Sequence, residues 1–213
     1  MNKLLYKIVF ARLNPKFHPF IKFALNLGIL TLPALLLLSI LRSNPSIQST
    51  MSLSFPAFHL GKLMMISAQE VLAILGYNAI LTFETNIYHY GVFALQIGTG
   101  VKVFLGFSCL GLGVMLVYTA LIVAWPGSFR IKVPYILFGL ILIFVLNVSR
   151  MSYLTWLSKD GTNFTKKTIS ILGIRNYDHH DLFNFFIYIV IFLLFILWVE
   201  VFSKIKPGQG DTL

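Results

Sequence analysis

The stretch VPYILFGLILIFVLNVSRMSY, residues 133–153, decides the fold class of this chain. An α-helix needs about 20 apolar residues to cross roughly 30 Å of hydrocarbon, and this stretch has that length. Three further apolar runs occupy residues 21–41, 103–125 and 182–202, the second with a less certain start. The sequence therefore predicts an all-α integral membrane protein with about four transmembrane helices.

The composition supports a membrane protein. The chain is 57% hydrophobic and 11% charged, against roughly 25% charged residues in a soluble domain. The net charge is 17 − 7 = +10, but the basic residues flank apolar runs instead of forming one patch. We therefore expect membrane lipid as a partner and no nucleic acid. A single cysteine excludes an internal disulfide and a cysteine-rich zinc site, and we expect no cofactor and no bound metal.

The distribution of Lys and Arg predicts the orientation of the four spans. The basic N-terminal segment, 1–20, and the short basic link at 126–132 read as cytoplasmic, and Lys204 and Lys206 follow the last span. Both termini are then cytoplasmic, in a plasma or inner membrane. One membrane domain covers 1–206, with external segments at 43–102 and 154–181 and a disordered tail at 207–213.

The external segment 43–102 has two predicted parts. Residues 60–77 place apolar side chains at helical spacing, namely Leu60, Leu63, Met64, Ala68, Val71, Leu72 and Leu75. That amphipathic pattern is typical of a helix lying in the membrane interface. The alternative is a further crossing, which would move the following residues to the cytoplasmic side. Residues 80–103 alternate locally and contain glycines, which predicts a short external β-hairpin.

Cys109 lies where this hairpin gives way to the second apolar run. Gly106, Gly111 and Gly113 surround it, and glycines allow another backbone or a substrate to approach closely. The partial positive charge at a helix N-terminus favours the thiolate of a nearby cysteine. The competing interpretation is a small, inert packing residue, since free cysteine is often buried.

Arg150 lies about one turn inside the external end of the third run. A charge at that depth is costly unless it faces a polar cavity or reaches the interface, so such a residue is a functional candidate. Asn147 shares its helix face and could orient the guanidinium. Binding of lipid headgroups is the alternative role.

His179 and His180 open the last run, in the sequence Asp178-His179-His180-Asp181. A histidine moves protons at physiological pH. The run also has the composition of a metal site, but adjacent side chains do not converge and further ligands would be needed. The third interpretation is a polar cluster that caps the helix.

In order and spacing, these residues resemble the exosortase/archaeosortase family of membrane-embedded cysteine enzymes. The family pattern has a cysteine in a Cys-Ser-Gly-like motif, an Asn-x-x-Arg motif that ends a later span, and a histidine that opens the next. Here Cys109 precedes Leu110-Gly111, Asn147 pairs with Arg150, and His180 is favoured over His179. The chain departs from the pattern at Leu110, where the family has serine, and it looks like a compact member.

The resemblance implies proteolysis or transpeptidation at C-terminal sorting signals of exported proteins, each with a motif, a membrane span and a basic tail. Cys109, Arg150 and His180 would be catalytic, with Asn147, His179 and Gly111 in support. The active site would lie at the external face. A non-enzymatic membrane scaffold and, less favoured, a small transporter are the alternatives; broken spans and repeated halves, which are common in transporters, are not evident.

Overall fold

The computed structural model describes residues 18–43, 55–85, 91–160, 169–171, 175–177 and 179–202. Five α-helices occur there: α1 (His18–Ser43), α2 (Phe55–Ile74), α3 (Leu112–Ala124), α4 (Phe129–Leu157) and α5 (His179–Leu197). Short 3₁₀ helices occupy Phe107–Leu110 and Ser158–Asp160, and a π-helical turn, Trp198–Phe202, follows α5. The described part of the chain is mostly helical, as predicted.

Helices α3, α4 and α5 alternate in direction. The end of α3 lies beside the start of α4, where Lys132 Nζ donates to the Val123 carbonyl at 2.9 Å. Further along, the Tyr135 hydroxyl donates to the carbonyl of Leu194 at 2.7 Å, which joins the first half of α4 to the end of α5. Because the opposite ends meet in each case, α4 runs antiparallel to both neighbours.

Helix α1 joins this bundle at the same end. The Phe23 ring lies 4.9 Å from the Trp125 ring and 5.6 Å from the Phe195 ring, measured between centroids. The beginning of α1, the α3–α4 link and the end of α5 are therefore together. The four helices run up, down, up and down within the bundle.

Among the residues that the structure describes, two helices are long and apolar enough to cross a membrane by length and composition, Phe129–Asp160 and Phe183–Val201. Two more apolar helices are shorter, Phe20–Leu36 and Leu112–Ala124. The prediction of a helical span from residue 103 was wrong at its start, since α3 begins at Leu112 and has 13 residues. The glycine-rich sequence before it forms a strand, a 3₁₀ helix and a left-handed turn.

The amphipathic segment is helical, but α2 begins earlier than predicted and buries a narrower face. Met64, Ala68 and Leu72 are fully buried, whereas Leu63 and Leu75, predicted on the same face, are 55% and 62% exposed. The helix ends in a Schellman motif: the Tyr77 N–H donates to Leu72 O, and Gly76, at φ +84°, donates to Ala73 O. The turn directs the chain into the sheet.

The predicted hairpin is confirmed and extended by a third strand. Strands β1 (Ala79–Glu84) and β2 (Val92–Ile97) pair antiparallel, with Leu81 opposite Leu95, and β3 (Val103–Phe104) pairs with the other edge of β2. The sheet packs on α2 and on the end of α4, where the Val101 N–H donates to Ser158 O at 3.0 Å. The sheet thereby carries the chain to Cys109.

A second hairpin was missed. Strands β4 (Ile169–Ile171) and β5 (Arg175–Tyr177) pair antiparallel just before α5. Their runs are only three residues long, too short to show a period of two against a polar loop. The tail at 207–213, most of the basic segment 1–20, and Lys204 and Lys206 lie outside the described residues.

Candidate functional site

Cys109 lies in the 3₁₀ helix that connects the sheet to α3. We call residues Phe107–Gly111 the Cys109 turn. The Cys109 N–H donates to Gly106 O at 2.8 Å, and Gly111, at φ +71°, ends the turn and becomes the N-cap of α3. Cys109 is 8% exposed and belongs to the core formed by α2, the sheet and the C-terminal half of α4. The thiol is therefore held next to a helix start, inside the protein.

Gly111 brings this turn against α4. A β-carbon at position 111 would lie 2.5 Å from Asn147 Nδ2, a separation that real β-carbons do not show. Asn147 is 2% exposed, and its Nδ2 donates to the Ile143 carbonyl at 3.0 Å. Glycine is thus required at 111 for two independent reasons, the left-handed backbone and the close approach.

Leu110 fixes the other side of the turn. It is 5% exposed, and its Cδ2 atom would lie 3.3 Å from a β-carbon at Gly61 of α2. The position where the family has serine is therefore a packing position here. Leu110 fills space that Gly61 leaves open.

Arg150 lies three residues beyond Asn147 on α4 and connects to α5. Its guanidinium carbon lies 4.7 Å from the centroid of the Phe183 ring, and the residue is 7% exposed. A guanidinium over an aromatic face is stabilised by about 0.5–2 kcal/mol, more when water is excluded. The two motif residues contact different neighbours: Asn147 lies against Gly111 of the Cys109 turn, and Arg150 lies over Phe183 at the start of α5.

The backbone of His179 and His180 forms the first turn of α5, and their side chains lie outside what the structure describes. His180 precedes Phe183 by three residues, which is less than one helical turn. The helix start that carries both histidines is thus the one that Arg150 contacts through Phe183. The choice between the two histidines stays a prediction.

Nothing among protein-family models, curated proteins or solved structures matches this chain.

The Cys109 turn, the start of α3 and Arg150 lie at one end of the bundle. The first backbone N–H groups of α3 have no partner within the helix, and no side chain caps them. They point toward the end of the bundle that also holds Arg150. No cluster of three or more metal-ligating side chains occurs among the residues searched, which are those that the structure describes. Chemically, this end offers a nucleophile and donors for a developing negative charge.

Sequence reasoning found Cys109, Asn147 and Arg150, but it missed Phe183 and Gly61. Phe183 gives a weak signal, an aromatic residue one turn inside the helix that the histidines open. Gly61 gives none, because its role depends on a contact with Leu110, which lies far along the chain. Such a contact has no local sequence pattern.

Proposed function

We propose that this protein is a membrane-embedded cysteine protease or transpeptidase that processes C-terminal sorting signals of exported proteins. The observation that carries the proposal is the double contact made by the Asn-x-x-Arg motif. Asn147 lies against the turn that holds Cys109, and Arg150 lies over Phe183 at the start of the histidine-bearing helix. Three segments far apart in sequence, each with a chemically suitable residue, meet at one end of the bundle.

The exposed surface of α4 supports a membrane position for this site. Exposed apolar residues recur every four positions from Val133 through Leu137 and Ile141 to Val145, with Phe138 beside them and Tyr153 two turns beyond. At the outer end, Tyr153 stacks on Trp156, and Lys159 Nζ lies 5.1 Å from the centroids of Trp156 and Tyr77. A hydrogen bond from Trp156 lowers the pKa of Tyr77 below its ordinary value, and the Lys159 charge adds to the effect.

Aromatic and basic residues grouped in this way are typical of a membrane–water interface. Arg150 precedes Tyr153 by three residues, or roughly 4.5 Å along the helix axis. The site then lies in the outer leaflet, just beneath the external surface. A substrate anchored by its own span would reach it by lateral diffusion.

The short α3 fits the same placement. Its 13 residues extend roughly 20 Å, about two thirds of the hydrocarbon thickness. The Cys109 turn completes the crossing as irregular backbone, which a bilayer tolerates only where protein covers it. Burial of Cys109 and Leu110 against α2 and the sheet supplies that cover.

In the proposed reaction, the Cys109 thiolate attacks the carbonyl carbon of the scissile peptide bond. Arg150 and the first amides of α3 stabilise the negative charge that develops on the carbonyl oxygen. The carbon–nitrogen bond breaks, His180 gives a proton to the departing amine, and a thioester remains on Cys109. His180 then removes a proton from water or from an acceptor amine, which attacks the thioester and releases the thiolate.

Replacement of Cys109 tests the proposal even when the substrate is unidentified. In cells whose own copy carries Cys109→Ala, we expect exported proteins with a C-terminal motif, span and basic tail to keep those C-terminal peptides, measured by proteomics of the membrane fraction. Arg150→Ala should reduce processing by roughly 100- to 1,000-fold, as the loss of an oxyanion donor does. Ser149→Ala, on the exposed side of α4, should process normally. Identical C-terminal peptides in wild-type and Cys109→Ala cells would contradict the proposed enzymatic activity.

One observation favours the alternative of a non-enzymatic scaffold, namely the burial of Cys109 at 8% exposure. A scaffold needs no accessible thiol, whereas an enzyme must admit a peptide to it. N-ethylmaleimide distinguishes the two in native membranes, because Cys109 is the only cysteine. Labelling that inactivates processing supports the enzyme, and a thiol that reacts only after denaturation supports the scaffold.

A further inference from the structure

The contact between Gly111 and Asn147 assigns a role to Asn147 that its place in the sequence motif does not reveal. The sequence indicated that Asn147 could orient Arg150. In the structure its amide is held by Ile143 O at 3.0 Å and lies against the backbone of the Cys109 turn. The residue next to the thiol-bearing turn is therefore a rigid, buried amide.

We propose that Asn147 is a positioning residue that sets the place of Cys109 relative to α4. The inference rests on the proposed function, because a position matters only if Cys109 reacts. Asn147 acts through Gly111. The Asn147 side chain limits how closely the Cys109 turn can approach α4. The hydrogen bond to Ile143 O keeps this side chain in one rotamer.

The opposite side of the Cys109 turn is held by a second contact, to α2. Leu110 inserts toward Gly61 of α2, so the turn is held from two directions, by Leu110 against α2 and by Gly111 against α4. Cys109 immediately precedes this pair. A change at either contact therefore moves the thiol.

The proposal also accounts for the choice of a polar residue. A leucine of similar size at 147 would lose the bond to Ile143 and could adopt other rotamers. An asparagine bonded to its own helix is fixed with little conformational freedom. Catalytic groups held within about 0.5 Å commonly depend on such supporting contacts.

The test measures the rate at which N-ethylmaleimide labels Cys109 in native membranes, which requires no substrate. Asn147→Ala should raise the rate about tenfold, because the turn loses its support. Gly111→Ala should raise it at least as much, since its β-carbon meets Nδ2. The double variant should label no faster than Gly111→Ala alone, because Asn147→Ala removes the amide nitrogen that the new β-carbon would meet.

Three controls separate positioning from general loosening. Gly76→Ala introduces a side chain at φ +84° with nothing within 4 Å, so it measures backbone strain without a clash. Gly139→Ala disturbs the opposite end of the bundle, and Ser149→Ala changes an exposed side of the same helix. Each should label within about twofold of wild type. Wild-type labelling in Asn147→Ala, additive effects in the double variant, or equal acceleration in Gly139→Ala would overturn the proposal.

Processing provides the functional readout. For proteins whose processing depends on Cys109, Asn147→Ala should lower kcat about tenfold with KM unchanged, because substrate still binds while the thiol is misplaced. If Cys109→Ala leaves processing intact, the proposed function fails and the labelling results still test the contact. If processing depends on Cys109 but Asn147→Ala labels and processes as wild type, the positioning role alone fails.

Discussion

The two ends of the bundle are built in different ways. At the end where α3 joins α4, which we call the aromatic end, large aromatic residues fill the core. Two tyrosine hydroxyls are bonded there: Tyr118 donates to Tyr135 O at 2.8 Å, and Tyr135 donates to Leu194 O. At the other end, which we call the Cys109 end, the residues Cys109, Gly111 and Asn147 are small or polar. Their contacts are close approaches of backbone to side chain.

The difference shows at which end the groups suited to chemistry lie. The two tyrosines of the aromatic end satisfy their hydrogen bonds within the bundle; Tyr135 even bonds the carbonyl of Leu194 just before α5 changes to a π-helical turn. The Cys109 end holds a buried guanidinium, a thiol and an uncapped helix start. We infer that both ends contribute to stability, and that the Cys109 end also keeps polar groups in fixed positions for reaction.

The largest expected effect on stability is at the Cys109 end. Leu110→Ser gives this chain the serine of the family pattern but removes a buried side chain and adds a hydroxyl to the core. Buried leucine truncations cost about 2–5 kcal/mol, so we expect a loss of about 3 kcal/mol in the free energy of unfolding. Leu63→Ser, at a 55% exposed position of α2, is the matched control and should change stability little. Thermal unfolding in detergent measures both, and equal effects would contradict the packing role of Leu110.

At the aromatic end, Gly139→Ala should cause the second-largest loss of stability. A β-carbon there would overlap the ring of Tyr118, which is held by its hydrogen bond to Tyr135 O. Overpacking of this kind costs about 1–3 kcal/mol. Gly28→Ala in α1 meets no atom closer than 3.9 Å and should be neutral or stabilising, because alanine favours a helix over glycine. A Gly139→Ala variant as stable as Gly28→Ala in thermal unfolding would show that the close contact is absent.

The smallest effect is expected for Tyr135→Phe. The change removes one hydroxyl and leaves the Leu194 carbonyl without that donor, a loss of about 1 kcal/mol. Tyr153→Phe is the matched control, since Tyr153 is 60% exposed. Processing should continue in both variants, because the Tyr135 hydroxyl lies at the end far from Cys109. A loss of processing without a loss of stability would contradict the claim that the chemistry is confined to the Cys109 end.

Much of the fold could be predicted because long apolar runs and basic segments follow from hydrocarbon thickness and topology alone. Residues 133–153 lie within α4, and 182–202 falls within α5 and its π-helical turn. The start of α3 could not be predicted, since Gly106, Gly111 and Gly113 allow several backbone paths. The buried face of α2 was predicted too broadly, because apolar spacing does not say which residues meet a partner and which meet lipid.

The candidate site also could be predicted only in part. Cys109 and Arg150 stood out because a thiol and a charge are rare in apolar sequence. The contacts of Gly111 with Asn147 and of Arg150 with Phe183 depend on how helices pack, and no local pattern encodes them. Residue types thus revealed the candidates, and the packing revealed how they are held.

The central claim is that Cys109 forms a thioester with the proteins that it processes. Mass spectrometry of the Cys109 peptide, from membranes rapidly quenched at acidic pH, tests this most directly. We expect an adduct on Cys109 that carries the residues just before the cleaved bond, which become the new C-terminus of the processed protein. The adduct should be released by hydroxylamine and absent in Arg150→Ala membranes. An unmodified Cys109 in membranes that are actively processing such proteins would contradict the central claim.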